Sequence, residues 1–394
     1  MPSEYIEKTL GEVAFVSSGK RPLSMSKERS FDAPVPVVGG GGPSGFTAQP
    51  LTTEHVLITG RVGTLGKLHV SCGPVWPSDN ALVIRPRQEV VSFDYLRYAL
   101  RNVIHFAIGM NRGAANPLVT QTDLSKLTIP VPAPRVQAEV AATLRSLDDR
   151  IDLLRQTNAT LESIAQALFK SWFIDFDPVR AKAEGREPEG MDAATAALFP
   201  AEFEDSALGL IPKGWGVQRL SDMLELAYGK ALKATDRRDG QVPVYGSGGI
   251  TGFHDEALVQ SGSIIVGRKG TVGSLYWEDK PFFPIDTTFY VKPKSAPLTF
   301  CFYALQCLGL ESMNTDAAVP GLNRENAYRL ELIRPAPEAL RAFDDLGSSL
   351  RATMRCNDER AALLACLRDT LLPRLISGKL RLPEAQAQLD DALA

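Results

Sequence analysis

The sequence predicts an α+β protein built twice over: two similar sheet-rich domains joined by two long antiparallel coiled-coil helices, with an internal pseudo-two-fold axis. Three observations carry this. A heptad-like seam runs through the middle of the chain, glycine-rich motifs recur at a constant offset, and a second seam follows the second set of motifs. From Val136 to Phe173 the large apolar residues fall at Val140, Leu144, Leu147, Ile151, Leu154, Leu161, Ile164, Leu168 and Trp172, the three- and four-residue spacing of a coiled coil. At about 1.5 Å per residue this 38-residue helix would be roughly 57 Å long, a strut and not a core element of one small domain. Asn158 stands where the seam asks for an apolar side chain, a device that fixes register at some cost in stability.

The repeat is explicit. VPVVGGGGPSGF starts at Val35 and VPVYGSGGITGF at Val242, an offset of 207 that holds for GRVGTLG at Gly60 and GRKGTVG at Gly267, and for PSDNALV at Pro77 and PIDTTFY at Pro284. At AANP (Ala114) and AAVP (Ala317) the offset has become 203. From Phe343 the residues Leu346, Leu350, Met354, Leu364, Leu367, Leu371 and Leu375 repeat the seam, and Asn357 interrupts it as Asn158 does the first. The two asparagines are expected to pair across the pseudo-two-fold. Runs such as HVLIT, KLHV and ALVIRP, and SIIVG, SLYW and TFYVKP, bounded by Gly, Pro and Asp, read as strands and tight turns. The glycine clusters Gly39–Gly42 and Gly246, Gly248 and Gly249 either bring backbone close to a ligand or punctuate hairpins. The expected organisation is 1–134 first domain, 135–173 central helix, 174–214 linker, 215–337 second domain, 338–376 distal helix and 377–394 tail.

Composition fits two globular domains: 394 residues, 44% hydrophobic and 23% charged. Five scattered cysteines form neither a CxxC pair nor a disulfide framework, which favours a reducing compartment. MPSEYIEKTL has no basic region followed by an apolar run, so the expectation is a cytoplasmic protein, neither exported nor membrane-spanning. The segment from Ile174 to Ser206 holds nine acidic and three basic residues, so the acidic balance of the chain, −3, is partly a property of the connector.

Motifs for chemistry are missing. An amino-methyltransferase needs an acidic residue or Asn, then Pro-Pro and an aromatic; Asn116-Pro117-Leu118 lacks the second Pro and the aromatic. Gly60 to Gly66 leaves five residues where a P-loop has four, and Lys67 precedes Leu68 instead of Ser or Thr. The four histidines lack zinc-site spacing, so no metal is expected. Asp148 and Asp149 read as solvated helix charges, and no nuclease or ATPase motif is present.

With AQALFKSWFIDFDPVRAKAEG closing the central helix and LLPRLISGKL closing the distal one, the chain resembles the specificity subunit of type I restriction-modification systems over essentially its whole length. The resemblance implies two target recognition domains, each reading one half of a split double-stranded DNA sequence, with the helix pair fixing the spacer. It implies docking of two methyltransferase subunits and of restriction subunits, a role in phage defence, and no catalysis by this chain. No cofactor is expected here, S-adenosylmethionine belonging to the methyltransferase partner. Because the copies diverge, the target should be asymmetric. The alternatives are a self-contained modification enzyme with fused recognition domains, which the missing motif opposes, and a coiled-coil adaptor, which leaves the duplicated loops without a purpose.

Candidate DNA contacts are Arg61 and Lys67 in the first GRxGT loop, Arg268 and Lys269 in the second, and Asn111 and Arg112 with Asn323 and Arg324 in two loops of similar character at an offset of 212. Arginine suits bidentate contact with guanine, while Lys and backbone N–H suit phosphate. Residues 10–134 carry twelve basic and eight acidic residues and 217–334 carry thirteen of each, so partner subunits are expected to share the phosphate contacts. Phe169, Trp172, Phe173 and Phe176 either anchor a partner subunit or cap the seam against the neighbouring domain.

Overall fold

The computed structural model describes residues 5–113, 117–313, 321–385 and 387; AANP at 114 and AAVP at 317, including Asn116, fall almost wholly outside them. The chain divides into two units, one of residues 1–154 with 360–394 and one of residues 155–359. Each therefore combines one sheet-rich domain with a stretch of both long helices.

In the first unit the order is β1 (Ile6–Thr9), α1 (Leu10–Val13), β2 (Ala14–Ser18), β3 (Val35–Gly39), β4 (Gly42–Thr47), β5 (Val56–Gly60), β6 (Leu68–Ser71), β7 (Trp76–Pro77), β8 (Ala81–Pro86), α2 (Phe93–Val103), α3 (Gln121–Leu124) and β9 (Thr128–Val131), leading into α4 (Pro134–Phe173). After α4 come α5 (Asp177–Ala183), α6 (Ala193–Ala197) and the hairpin β10 (Phe203–Ser206) and β11 (Gly209–Pro212). The second domain follows as β12 (Gly216–Arg219), α7 (Leu220–Met223), β13 (Leu224–Tyr228), β14 (Val242–Gly246), β15 (Gly249–His254), β16 (Ser263–Gly267), β17 (Leu275–Glu278), β18 (Phe283–Pro284), β19 (Thr288–Pro293), α8 (Leu298–Cys307), α9 (Arg324–Tyr328) and β20 (Glu331–Arg334), then α10 (Pro337–Ile376).

The duplication read from the offsets is a duplication of topology. Four-stranded sheets β2-β8-β5-β6 and β13-β19-β16-β17, three-stranded sheets β4-β3-β7 and β15-β14-β18, and pairs β1-β9 and β12-β20 match strand for strand. Strands β5 and β16 are buried along their whole length, which is why they read as unbroken apolar runs. Strand alternation divides their side chains between two cores. Leu57, with Leu82 and Ile84 of β8, joins the helical core, while Val56 and Ile58 pack with Ala81 and Val83 on the other face. The second copy does the same, Ile264 and Val266 facing the helices and Ile265 facing Tyr245 and Phe282.

Both long helices start at a proline, Pro134 and Pro337, whose fixed φ and missing N–H suit a first helical position. In the first unit Val140, Leu144, Leu147 and Ile151 of α4 share a core with Ala361, Leu364, Leu371 and Leu375 of α10. In the second, Asn158 meets Asn357, Glu162 meets Arg351 and Phe169 meets Phe343, so that ascending numbers on one helix face descending numbers on the other: the pairing is antiparallel. Asn357 Nδ2 donates to Asn158 Oδ1 at 2.9 Å, and Asn158 Nδ2 donates to the Met354 carbonyl at 2.9 Å and to Asp358 at 2.8 Å.

Three expectations are corrected. The segment 174–214 is no free linker: Phe176, Val179, Phe199 and Ile211 are buried in the core of the second unit, few enough apolar anchors for an acidic, Ala- and Pro-rich composition to hide. The start of the tail likewise belongs to the first unit, where Leu380 and Ala385 are buried. Asp148 is no solvated charge: it accepts from Arg368 at 2.7 Å and from Tyr98 at 2.8 Å, with Arg97 at 3.2 Å, tying α2 and α10 to α4, whereas Asp149 stays exposed.

Candidate nucleic-acid interface

The two GRxGT loops leave the ends of β5 and β16 in the same shape. A Cβ on Gly60 would lie 1.7 Å from the Thr64 carbonyl oxygen, and one on Gly267 2.1 Å from that of Thr271, so neither turn closes with any other residue. Both loops then carry left-handed glycines at matched places, Gly63 (φ 82°) with Gly270 (φ 83°) and Gly66 (φ 73°) with Gly273 (φ 74°). The arginine after the first glycine is pinned by its backbone. Arg61 donates to the Asn80 carbonyl at 2.8 Å and accepts from Val119 at 2.9 Å; Arg268 donates to the Thr287 carbonyl at 2.9 Å and accepts from Leu322 at 2.8 Å. Lys67 and Lys269 are exposed on the same loops.

Two further segments converge on each loop. The first is the turn leaving β2 or β13, where Gly19 and Gly229 each approach a carbonyl oxygen so closely that a Cβ would sit 2.1 Å from it. Ser18 precedes one and Tyr228 the other; Lys20 and Lys230 follow, both exposed. The second segment is the start of α3 or α9, capped by Thr120 and by Asn323, whose Oδ1 accepts from Glu325 and Asn326 N–H. In the second domain the three segments meet on one ring. The guanidinium carbons of Arg268 and Arg324 lie 4.9 and 4.8 Å from the centroid of Tyr228, itself about half exposed, and Arg268 Nη1 donates to the Asp286 carbonyl at 3.1 Å. In the first domain Gln121 Nε2 donates to Ser18 Oγ at 2.9 Å in the same place.

That correspondence agrees with the unequal offsets, by which Asn111 and Arg112 resemble Asn323 and Arg324 in character but are not aligned with them. Val119 and Leu322 bond to the matched arginines, so the counterparts of Asn323 and Arg324 are Thr120 and Gln121, at the offset of 203, and not Asn111 and Arg112 at 212. The Asn111 side chain holds its own loop, accepting from Gly113 and Leu118 N–H and donating to the Gly113 carbonyl. Arg112 is paired with the buried carboxylate of Asp123. Lys20 and Lys230, in SGK and YGK at an offset of 210, belong to the site as well, and so do Tyr228, Ser18 and Gln121, which become visible once the strands are in register.

The aromatic residues that close α4 lie within the second unit. Phe169, Trp172, Phe173 and Phe176 are all buried, Phe169 and Phe173 with their rings 5.6 and 5.3 Å from Phe343, Trp172 5.1 Å from Phe199 and Phe176 6.0 Å from Trp215. These contacts join the end of the seam to the core of the second unit. Among the described residues no cluster of His, Cys, Asp or Glu is placed to hold a metal, and no helix is long and apolar enough to cross a membrane.

Comparison with known proteins agrees with this architecture. The family model for the type I restriction modification DNA specificity domain matches residues 2–163 and again 212–333. A type I restriction enzyme HindI specificity subunit from Haemophilus influenzae is 27% identical over 370 residues, covering 77% of this chain and 81% of its own. The MjaIX specificity subunit of Methanocaldococcus jannaschii is 25% identical over 359 residues, covering 84% and 78%. The crystal structure of a type I restriction-modification S subunit from M. genitalium superposes with a TM-score of 0.57 over 95% of this chain and 96% of that one, a likeness of fold at 18% identity. With one such domain in each half and the first match running on into the central helix, this chain belongs to the type I restriction-modification DNA specificity family.

Proposed function

We propose that the chain is the non-catalytic, DNA-reading subunit of its complex, each domain taking one half of an asymmetric bipartite target on double-stranded DNA and the paired helices fixing the spacer. The observation that carries this is the site built twice: one scaffold of strand end, GRxGT loop and short helix, holding Arg61, Ser18 and Gln121 in one copy and Arg268, Tyr228 and Arg324 in the other. A shared scaffold with different side chains suits two different half-sites. Lys20, Lys67, Lys230 and Lys269 stand exposed around it to meet phosphate.

Methyl transfer is assigned to methyltransferase subunits that bind S-adenosylmethionine, two of them, docked along the helices, with restriction subunits joining that core in the cytoplasm. Since the aromatic end of α4 is consumed in the core, docking falls to exposed apolar residues of the long helices such as Leu153, Ile164, Leu346 and Leu363. Genome-wide mapping of methylated adenines in cells carrying the complex tests the whole reading. An asymmetric motif split by a fixed unread spacer is expected. A palindromic or uninterrupted motif, or methyl transfer by the isolated chain, overturns it.

A further inference from the structure

The duplication allows a comparison within one molecule. At the site just described some matched positions hold the same side chain in both copies, Arg61 with Arg268 and Lys20 with Lys230, and others differ, Ser18 with Tyr228 and Gln121 with Arg324. The DNA backbone is the same whatever the sequence, so a phosphate contact serves both half-sites with one residue type. Where the half-sites carry different bases the groove edges differ, so there a base contact changes.

We propose that the diverged pair Gln121 and Arg324 are the specificity-determining residues at this position of the two half-sites, Arg324 reading guanine and Gln121 reading adenine, while the shared lysines and arginines hold phosphate. This rests on the DNA-reading function proposed above. Arg324 is held as a reader has to be: its guanidinium carbon lies 4.8 Å from the Tyr228 centroid over the ring, Glu325 lies 3.5 Å from Nε, and that Nε is buried with no hydrogen-bond partner. The ring contact restrains the fork, and a restrained fork matches the O6 and N7 acceptors of guanine in the major groove. Gln121 is exposed, with its amide oriented by the 2.9 Å bond to Ser18 Oγ, and a fixed amide matches the N6 and N7 pair of adenine. Both sit in the first turn of a short helix whose start is bonded to the arginine of the GRxGT loop, so both are presented from the same place on the scaffold.

The test uses the chain in complex with its methyltransferase subunits, with methylated adenines mapped for the wild type, Arg324→Gln, Arg324→Lys, Gln121→Arg and Lys230→Ala. Arg324→Gln and Arg324→Lys should each lower the preference for guanine at one position of one half-site about tenfold or more and leave the other half-site unchanged. The lysine variant keeps the charge and loses the fork. Gln121→Arg, at an exposed position that tolerates the change, should alter one position of the opposite half-site. Lys230→Ala should weaken binding evenly across sequences and lower the salt slope by about one, with the motif intact. A motif unchanged in Arg324→Lys and Gln121→Arg overturns the assignment, as does a change in the wrong half-site. A wild-type complex that marks no split motif would instead overturn the DNA-reading function itself.

Discussion

At the scale of single residues, backbone constraint explains more than charge does. Phe176 is the one non-glycine with positive φ among the described residues (58°), yet its ring is buried against Trp215 and Phe203. The left-handed conformation costs about 1–3 kcal/mol and persists because the ring is packed. Removing the ring should therefore destabilise the second unit by about 3–5 kcal/mol in Phe176→Ala, and Phe176→Gly should be about 1 kcal/mol more stable than Phe176→Ala, since glycine carries no strain there. Denaturant unfolding of the two variants checks this, and an alanine variant as stable as the glycine one would show the strain to be relieved elsewhere. At Gly60 and Gly267 the logic runs the other way: Gly267→Ala should cost about 2 kcal/mol or more, because the Cβ meets fixed backbone at 2.1 Å. The GRxGT arginines were legible in the sequence since a glycine framework repeats letter for letter. Ser18, Tyr228 and Gln121 were not, because a diverged contact has no repeated letter to find, and only the strand register and the bond from Val119 to Arg61 place them.

At the scale of elements, the apolar spacing places the long helices where they stand, Pro134–Phe173 and Pro337–Ile376, but it misplaces part of the seam: Ile164 and Leu346 are exposed, while Ala165 and Phe343 are buried. Asn158 and Asn357 were legible for the same reason, as polar breaks in that spacing. Replacing one alone leaves the other amide without its partner, so Asn158→Ala should cost about 1–3 kcal/mol. The double change to leucine should recover most of that loss while loosening the register. A double-mutant cycle measures the coupling, and strictly additive losses would show the 2.9 Å contact to be energetically idle. Asp148 looks solvated in the sequence because nothing there signals that Arg368 lies opposite. Burial alone would raise its carboxyl; the hydrogen bonds from Arg368 and Tyr98 together outweigh it and hold the group below the usual carboxylate range. A lowered folded-state value means stability that is present above about pH 4 and drains away as pH falls through that lowered value. Asp148→Asn should cost about 3 kcal/mol at neutral pH and flatten the acid limb of the stability curve, as unfolding followed from pH 7 to 2 would show.

At the scale of the whole molecule, the chain is interleaved: the first unit takes residues from both ends of the sequence and the second takes the middle. The connector was the segment least legible, since a few widely spaced anchors such as Phe199 and Ile211 do not stand out from an acidic background. A chain ending at Glu359 would uncover Val140, Leu144, Leu147 and Ile151. At about 1.5–3 kcal/mol for each side chain returned to water, the loss is of the order of a small domain's entire stability. Hydrogen exchange on such a chain should show protection lost in the first unit and kept in the second.

The interleaving also sets an order of birth. Tyr5 donates from its hydroxyl to the Leu375 carbonyl at 3.1 Å, so residues of the first unit are completed by others made 370 positions later. At about 5–20 residues per second, a nascent first unit waits roughly 10–40 s while the intervening 200 or so residues emerge and the later-born unit finishes first. During that interval its greasy helix face has no mate of its own, and the copy on the next ribosome along the same messenger offers the nearest substitute.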